Sequence, residues 1–171
     1  MDTRETLKGL KSGASARAVY NEVKLTGDYI GFARQFMHDE DDIVARHSLW
    51  VLTQATDKEL AQLQPLMDEL VELAMSTPNS SIRRLSLNLI ERLKMEADDI
   101  RGDFFDFCMD HMLQVDECSG IQAVCGKLAY RMCRFYPDLM GELRRALESM
   151  EIEYYKPAVK CIRSKILKNK L

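Results

Sequence analysis

Three stretches of this chain repeat one pattern at intervals of 38 and 39 residues, beginning at Val44, Ile82 and Ile121. Aligned on those residues, the columns agree in size and polarity. Ser48, Ser86 and Cys125 share a small position; Val51, Leu89 and Leu128 share a large apolar one; Leu52, Ile90 and Ala129 share the next. A fourth copy begins near Tyr155 and aligns less well, as a terminal repeat often does. Apolar residues recur in each copy with helical spacing, and a second amphipathic segment lies beside each after a short loop. A pair of helices of this size cannot bury its own apolar stripe, so it must stack on the next pair. No segment alternates with period two between hairpin turns, and eight Gly and four Pro are few for an all-β chain.

The punctuation fits helix pairs over residues 28–169, preceded by a weakly patterned N-terminal cap over 1–27. Asp28 reads as an N-cap, and the run Asp39-Glu40-Asp41-Asp42 breaks one helix and caps the next. Pro65 either kinks its helix or marks its first turn. Thr77-Pro78-Asn79-Ser80 is a turn and cap, and Pro137 opens a helix. The last helix is expected to carry Tyr155, Ala158, Val159, Ile162 and Ile166. The 171 residues are enough for one domain with a real core.

The openings of two copies carry a resemblance. Asp42-Ile43-Val44-Ala45-Arg46 with Ser48 and Leu52, and Ser81-Ile82-Arg83-Arg84 with Ser86 and Ile90, resemble the second helix of HEAT repeats. That helix opens with Asp, an aliphatic residue and Arg. The third copy departs, with Ala123 where Arg46 and Arg84 stand. The chain is similar to HEAT/armadillo-type α-helical repeat proteins, among them small bacterial HEAT-like proteins. The resemblance implies an all-α fold, a right-handed α-solenoid of about four helix pairs, with the second helix of each pair on a concave, partner-binding side.

Sorting charge by helix role sharpens that expectation. The second-helix segments 42–55, 80–94, 119–135 and 154–169 carry 0, +3, +3 and +5. The first-helix segments 28–38, 58–75, 100–113 and 137–149 carry 0, −3, −2 and −1, and the whole chain carries −3. A basic binding face is therefore expected on Arg46, Arg84, Arg92, Lys127, Arg131, Arg163 and Lys165, with Asn88 and the lone Trp50 in the aligned columns between them. The competing reading is a solvated face whose C-terminal cations answer helix dipoles. Which flank of the second helices faces the groove stays open in the sequence, as does whether Trp50 anchors a partner or packs under the N-terminal segment.

Side chains for chemistry are sparse. His38, His47 and His111 match no metal spacing, and Asp103, Asp106 and Asp110 form one acidic stripe with no second element opposite. No nucleophile elbow, phosphate loop or dinucleotide fingerprint occurs, so no cofactor is expected. Alkylpurine DNA glycosylases share a HEAT-like architecture, but the Trp-Asp pair they carry is absent, since Trp50 is followed by Val51. The five cysteines include no C-x-x-C and read as free thiols, with Cys125 and Cys133 on a buried stripe. No apolar run is long enough for a membrane span, which makes the cytoplasm the default location. The expectation is a non-catalytic binding or scaffold module for a protein partner, with an acidic ligand or nucleic acid as the alternative. A base-excision enzyme of the glycosylase kind is the third reading.

Overall fold

A computed structural model describes residues 2–171, and every regular element among them is helical. The chain divides after Lys94 into two compact units. The first holds α1 (Thr3–Lys8), α2 (Gly13–Thr26), α3 (Tyr29–Phe36), α4 (Asp42–Leu52), α5 (Asp57–Leu60), α6 (Met67–Ser76) and α7 (Ser80–Arg92). The second holds α8 (Gly102–Leu113), α9 (Ser119–Cys133), α10 (Pro137–Glu148) and α11 (Pro157–Leu167).

Short polar side chains start the helices of the first unit. The Asp28 carboxylate accepts from the Gly31 amide at 2.8 Å, and Asp41 accepts from Ile43 at 2.9 Å. Asn79 accepts from Ser81 at 2.9 Å and from Ile82 at 3.0 Å. Each satisfies amides that the first helical turn leaves without a partner. Helix α2 ends at Gly27, whose φ of +70° is the left-handed conformation that closes a helix most cheaply in glycine. Residues 3–26 are thus two defined helices, more regular than the weak pattern suggests. Helix α1 spans six residues and buries only Leu7, too little for a periodic signal.

Pro65 lies inside a 3₁₀ stretch, Ala61–Leu66, and α6 begins after it. Its ring excludes the carbonyl four residues back, and the tighter winding avoids that clash. Helix α7 packs on α4 and α6, and α4 also packs on α1, α2 and α3. Val44, Leu49, Val51 and Leu52 are accordingly buried, as are Ile82, Leu85, Leu87, Leu89 and Ile90. The Ser48 and Ser86 hydroxyls in the small column donate to Ala45 O at 2.7 Å and Ile82 O at 2.8 Å, so neither is buried unsatisfied.

In the second unit α9 packs on α8, α10 and α11. Gly126 stands in the column of Leu49 and Leu87. A Cβ there would lie 3.1 Å from Ile162 and 3.4 Å from the Met112 sulfur, so α11 approaches where a large side chain stands in the other copies. The last helix opens at Pro157, two residues after Tyr155, because proline suits the first helical position. Tyr155 is extended and donates its hydroxyl to Leu113 O at 2.6 Å. Val159, Ile162 and Ile166 are buried with the spacing of Ile121, Val124 and Leu128, so the fourth copy runs in register from Val159. All five cysteines are free; Cys108, Cys125 and Cys133 are buried. Burial pushes the Cys133 thiol up to about 11, with nearby Glu142 adding to it, and burial followed by contact with Cys125 raises Cys108.

Three ion pairs tie the N-terminal helices down, one of them between Lys8 and Asp41 at 3.0 Å. Arg4 grips Asp39 through two hydrogen bonds of 2.8 and 2.9 Å, and Lys24 meets Glu59 at 2.9 Å. The Arg4 guanidinium holds the Asp39 carboxyl down to about 2, and the Lys24 ammonium, helped by the Thr56 amide, does the same for Glu59. Both folded values lie below those of the unfolded chain. Their stabilisation is therefore complete above the ordinary carboxylate range and lost as pH falls through about 2. Urea titrations from pH 5 down to pH 2 are expected to show falling stability, with a shallower slope in Asp39→Asn. At Gly126, substitution to Val is expected to cost roughly 1–3 kcal/mol by overpacking against Ile162, measured by the same titration at neutral pH.

Candidate binding groove

Helix α4 buries seven of its positions, and what it leaves toward α7 is narrow: Arg46 and Trp50, one turn apart. In the aligned columns α7 leaves Arg84 and Asn88 half-buried. The two exposed sectors face one another across an open groove of about 540 Å³ between α4 and α7. Its walls are Arg46, His47, Trp50 and Thr53 on one side and Ser81, Arg84, Leu85, Asn88 and Arg92 on the other. The flank that faces the groove is thus the one bearing Arg84, Asn88 and Arg92. Arg83, on the other flank, turns back to donate to Ala74 O at 3.0 Å and to Thr77 O at the end of α6.

His47 organises the α4 wall. It occupies the core column of Leu85, Val124 and Ile162 and is only 7% exposed. Its Nδ1 lies 2.6 Å from Leu7 O, which can only accept, so Nδ1 carries the proton. Its Nε2 lies 3.3 Å from Arg46 Nη2, which can only donate, so Nε2 accepts. Both nitrogens are committed, one to α1 and one to the groove. The Trp50 ring leans against the imidazole, with centroids 5.6 Å apart and planes at 55°. Trp50 is therefore a half-buried wall residue, steadied from beneath by His47.

Five of the nine expected partner-binding residues meet in this groove: Arg46, Trp50, Arg84, Asn88 and Arg92. They are not equivalent. Arg92 donates to Thr53 O at 3.1 Å and Ala55 O at 2.5 Å, and pairs with Asp57 at 2.9 Å, closing the C-terminal end of α4. Arg84, Asn88 and the Trp50 indole N–H have no hydrogen-bond partner among the described residues. The other four lie in the second unit. Lys127 and Arg131 are half-buried on α9, and Lys165 is exposed on α11. Arg163 is half-buried and donates to Leu147 O at 2.7 Å, at the end of α10.

The side chains considered for chemistry go elsewhere. His38 is exposed while His47 is turned inward, so the two do not form a metal site. His111 Nδ1 pairs with Glu117 at 2.6 Å, the His111 and Phe107 rings meet with centroids 4.0 Å apart and planes at 32°, and Asp103 pairs with Arg101 at 2.8 Å. Among the described residues, no group of three or more His, Cys, Asp or Glu side chains is arranged to hold a metal ion. No helix among them is long and apolar enough to cross a membrane.

Helix pairs, a shared second-helix register and a polar sector held open between α4 and α7 define a helical-repeat protein. The family description "HEAT repeat domain" matches residues 3–170, and the chain belongs to that family. Neither the curated proteins nor the solved structures give a match.

His47 gives the groove its own test. His47→Leu restores the apolar residue of the other copies but leaves the Leu7 carbonyl only the 3.3 Å bond from the Leu10 amide. The expected cost is about 1 kcal/mol, the net worth of one hydrogen bond. The emission of Trp50, the single tryptophan, is expected to shift with it, since the indole loses the imidazole it rests on.

Proposed function

We propose that the chain is a non-catalytic binding module in the cytoplasm, one right-handed solenoid whose second helices present a basic concave face to a protein partner. The observation that carries this reading is the α4–α7 groove, where the Arg46 and Arg84 guanidinia flank an indole and a free amide. Guanidinium groups grip carboxylates through paired hydrogen bonds, and a half-buried tryptophan offers a large contact area at little entropic cost. An acidic segment carrying an aromatic or aliphatic side chain satisfies both. The non-catalytic assignment is supported by His47, whose two ring nitrogens are engaged by Leu7 O and Arg46.

Nucleic acid is the second reading, favoured by the rise of charge along the second-helix segments to +5 at residues 154–169. The two readings separate on salt and on substitution. Pull-down from native lysate is expected to recover a stoichiometric protein, and Arg46→Glu with Arg84→Glu to weaken its capture at least ~tenfold, as when charge pairs at an interface are reversed. Capture untouched by the double reversal removes the groove from the account. Fluorescence anisotropy with duplex and single-stranded DNA is expected to show no binding at low salt. Binding with steep salt dependence transfers the assignment to nucleic acid.

A further inference from the structure

The second unit carries a recess of the opposite character. About 440 Å³ of open space lies between the N-terminal turns of α8 and α10. Its floor is Ile100, Phe105 and Leu139, its edge is the Tyr136 ring, and Gly102 opens one wall. Three carboxylates stand around it: Asp106, Asp138 and Glu142. All three are exposed and none is paired with a cation among the described residues. Tyr136 is 45% exposed beside the apolar floor. Apolar floor and acidic rim together point away from nucleic acid and from anionic lipid surfaces, which the carboxylates repel. A neutral apolar molecule would leave the rim unused.

We infer that this α8–α10 recess docks a basic amphipathic segment of a partner protein, one apolar side chain entering between Phe105 and Leu139 while flanking Lys or Arg meet Asp106, Asp138 and Glu142. The space holds one or two side chains, so the contact is an anchor with charged neighbours. The exposed Tyr136 face adds a place for a guanidinium to stack. Helix-in-groove recognition works in this way, with spaced apolar anchors giving affinity and the charged rim giving orientation and choice of partner. The surface is separate in residues and in charge from the α4–α7 groove and does not depend on the reading given to it.

The test uses the full chain and a short fluorescein-labelled helical peptide with Leu on one face and Lys on the others, followed by anisotropy. Two control peptides replace Lys by Glu or Leu by Ala. A Cβ on Gly102 meets nothing within 4 Å, so Gly102→Gln fills the recess without disturbing the fold, which circular dichroism checks. The Lys-Leu peptide is expected to bind, and both controls to bind at least ~tenfold more weakly because each lacks half of the recognition. Gly102→Gln is expected to weaken binding about tenfold, and Glu142→Lys about threefold, the size of a rim charge. The inference is overturned if the Lys-Leu peptide fails to bind at millimolar concentration, if either control binds equally, or if folded Gly102→Gln binds like the parent chain.

Discussion

A second helix in this chain has more apolar circumference than its own partner can cover. Helix α4 solves this by taking neighbours on several sides, with α1, α2, α3 and α7 all packed against it. Helix α9 does the same with α8, α10 and α11. Each then buries more than half its residues, whereas α10, covered less, buries only Leu143 and Leu147. Close packing of this kind leaves a helix one narrow sector for polar side chains. That sector falls two and six residues after the column opener in each of the three aligned copies: Arg46 and Trp50, Arg84 and Asn88, Ala123 and Lys127. The candidate binding face is thus what packing leaves over. A residue there contributes little to the core and is free to be chosen for contact.

His47 shows how the two demands meet. A polar side chain in a core column is costly unless every hydrogen-bonding group is matched. Here the matching partner is the Leu7 carbonyl, near the C-terminal end of α1, where helical carbonyls lack partners within their own helix. One imidazole therefore closes a helix end, attaches α1 to α4 and fixes Arg46 at the groove edge. The same side chain supports Trp50. Loss of any one of these contacts would be felt in the others, because they share a single ring.

The repeat, the helix starts at Asp28 and Pro137 and the burial of Cys125 and Cys133 were legible because each rests on local pattern. What was not legible depends on distant carbonyls. Arg92 and Arg163 look in sequence like members of one basic face, yet they close the ends of α4 and α10. Tyr155 looks like the first apolar residue of a helix, yet it is held in extended backbone by Leu113, 42 residues back. His47 looks like half of a metal pair, yet its partner is a backbone oxygen 40 residues away. Helix periodicity records which side is apolar; it carries no trace of which terminal carbonyls will need a donor from another helix.

That distinction changes the meaning of the charge on the second helices. The segment 80–94 carries +3, but Arg83 and Arg92 spend their guanidinia on the ends of α6 and α4. Their positive charge remains, while their directional donors are turned away from any ligand. The groove-facing donors come down to Arg84 and Arg46, set beside Trp50 and Asn88. A partner drawn by long-range field alone gains from every cation and is indifferent to donor direction, as a phosphate backbone is. A partner recognised by two guanidinia and an aromatic wall must present a carboxylate and an apolar group at one spacing. The α4–α7 arrangement suits the second kind, which is the sense of the acidic protein segment proposed above.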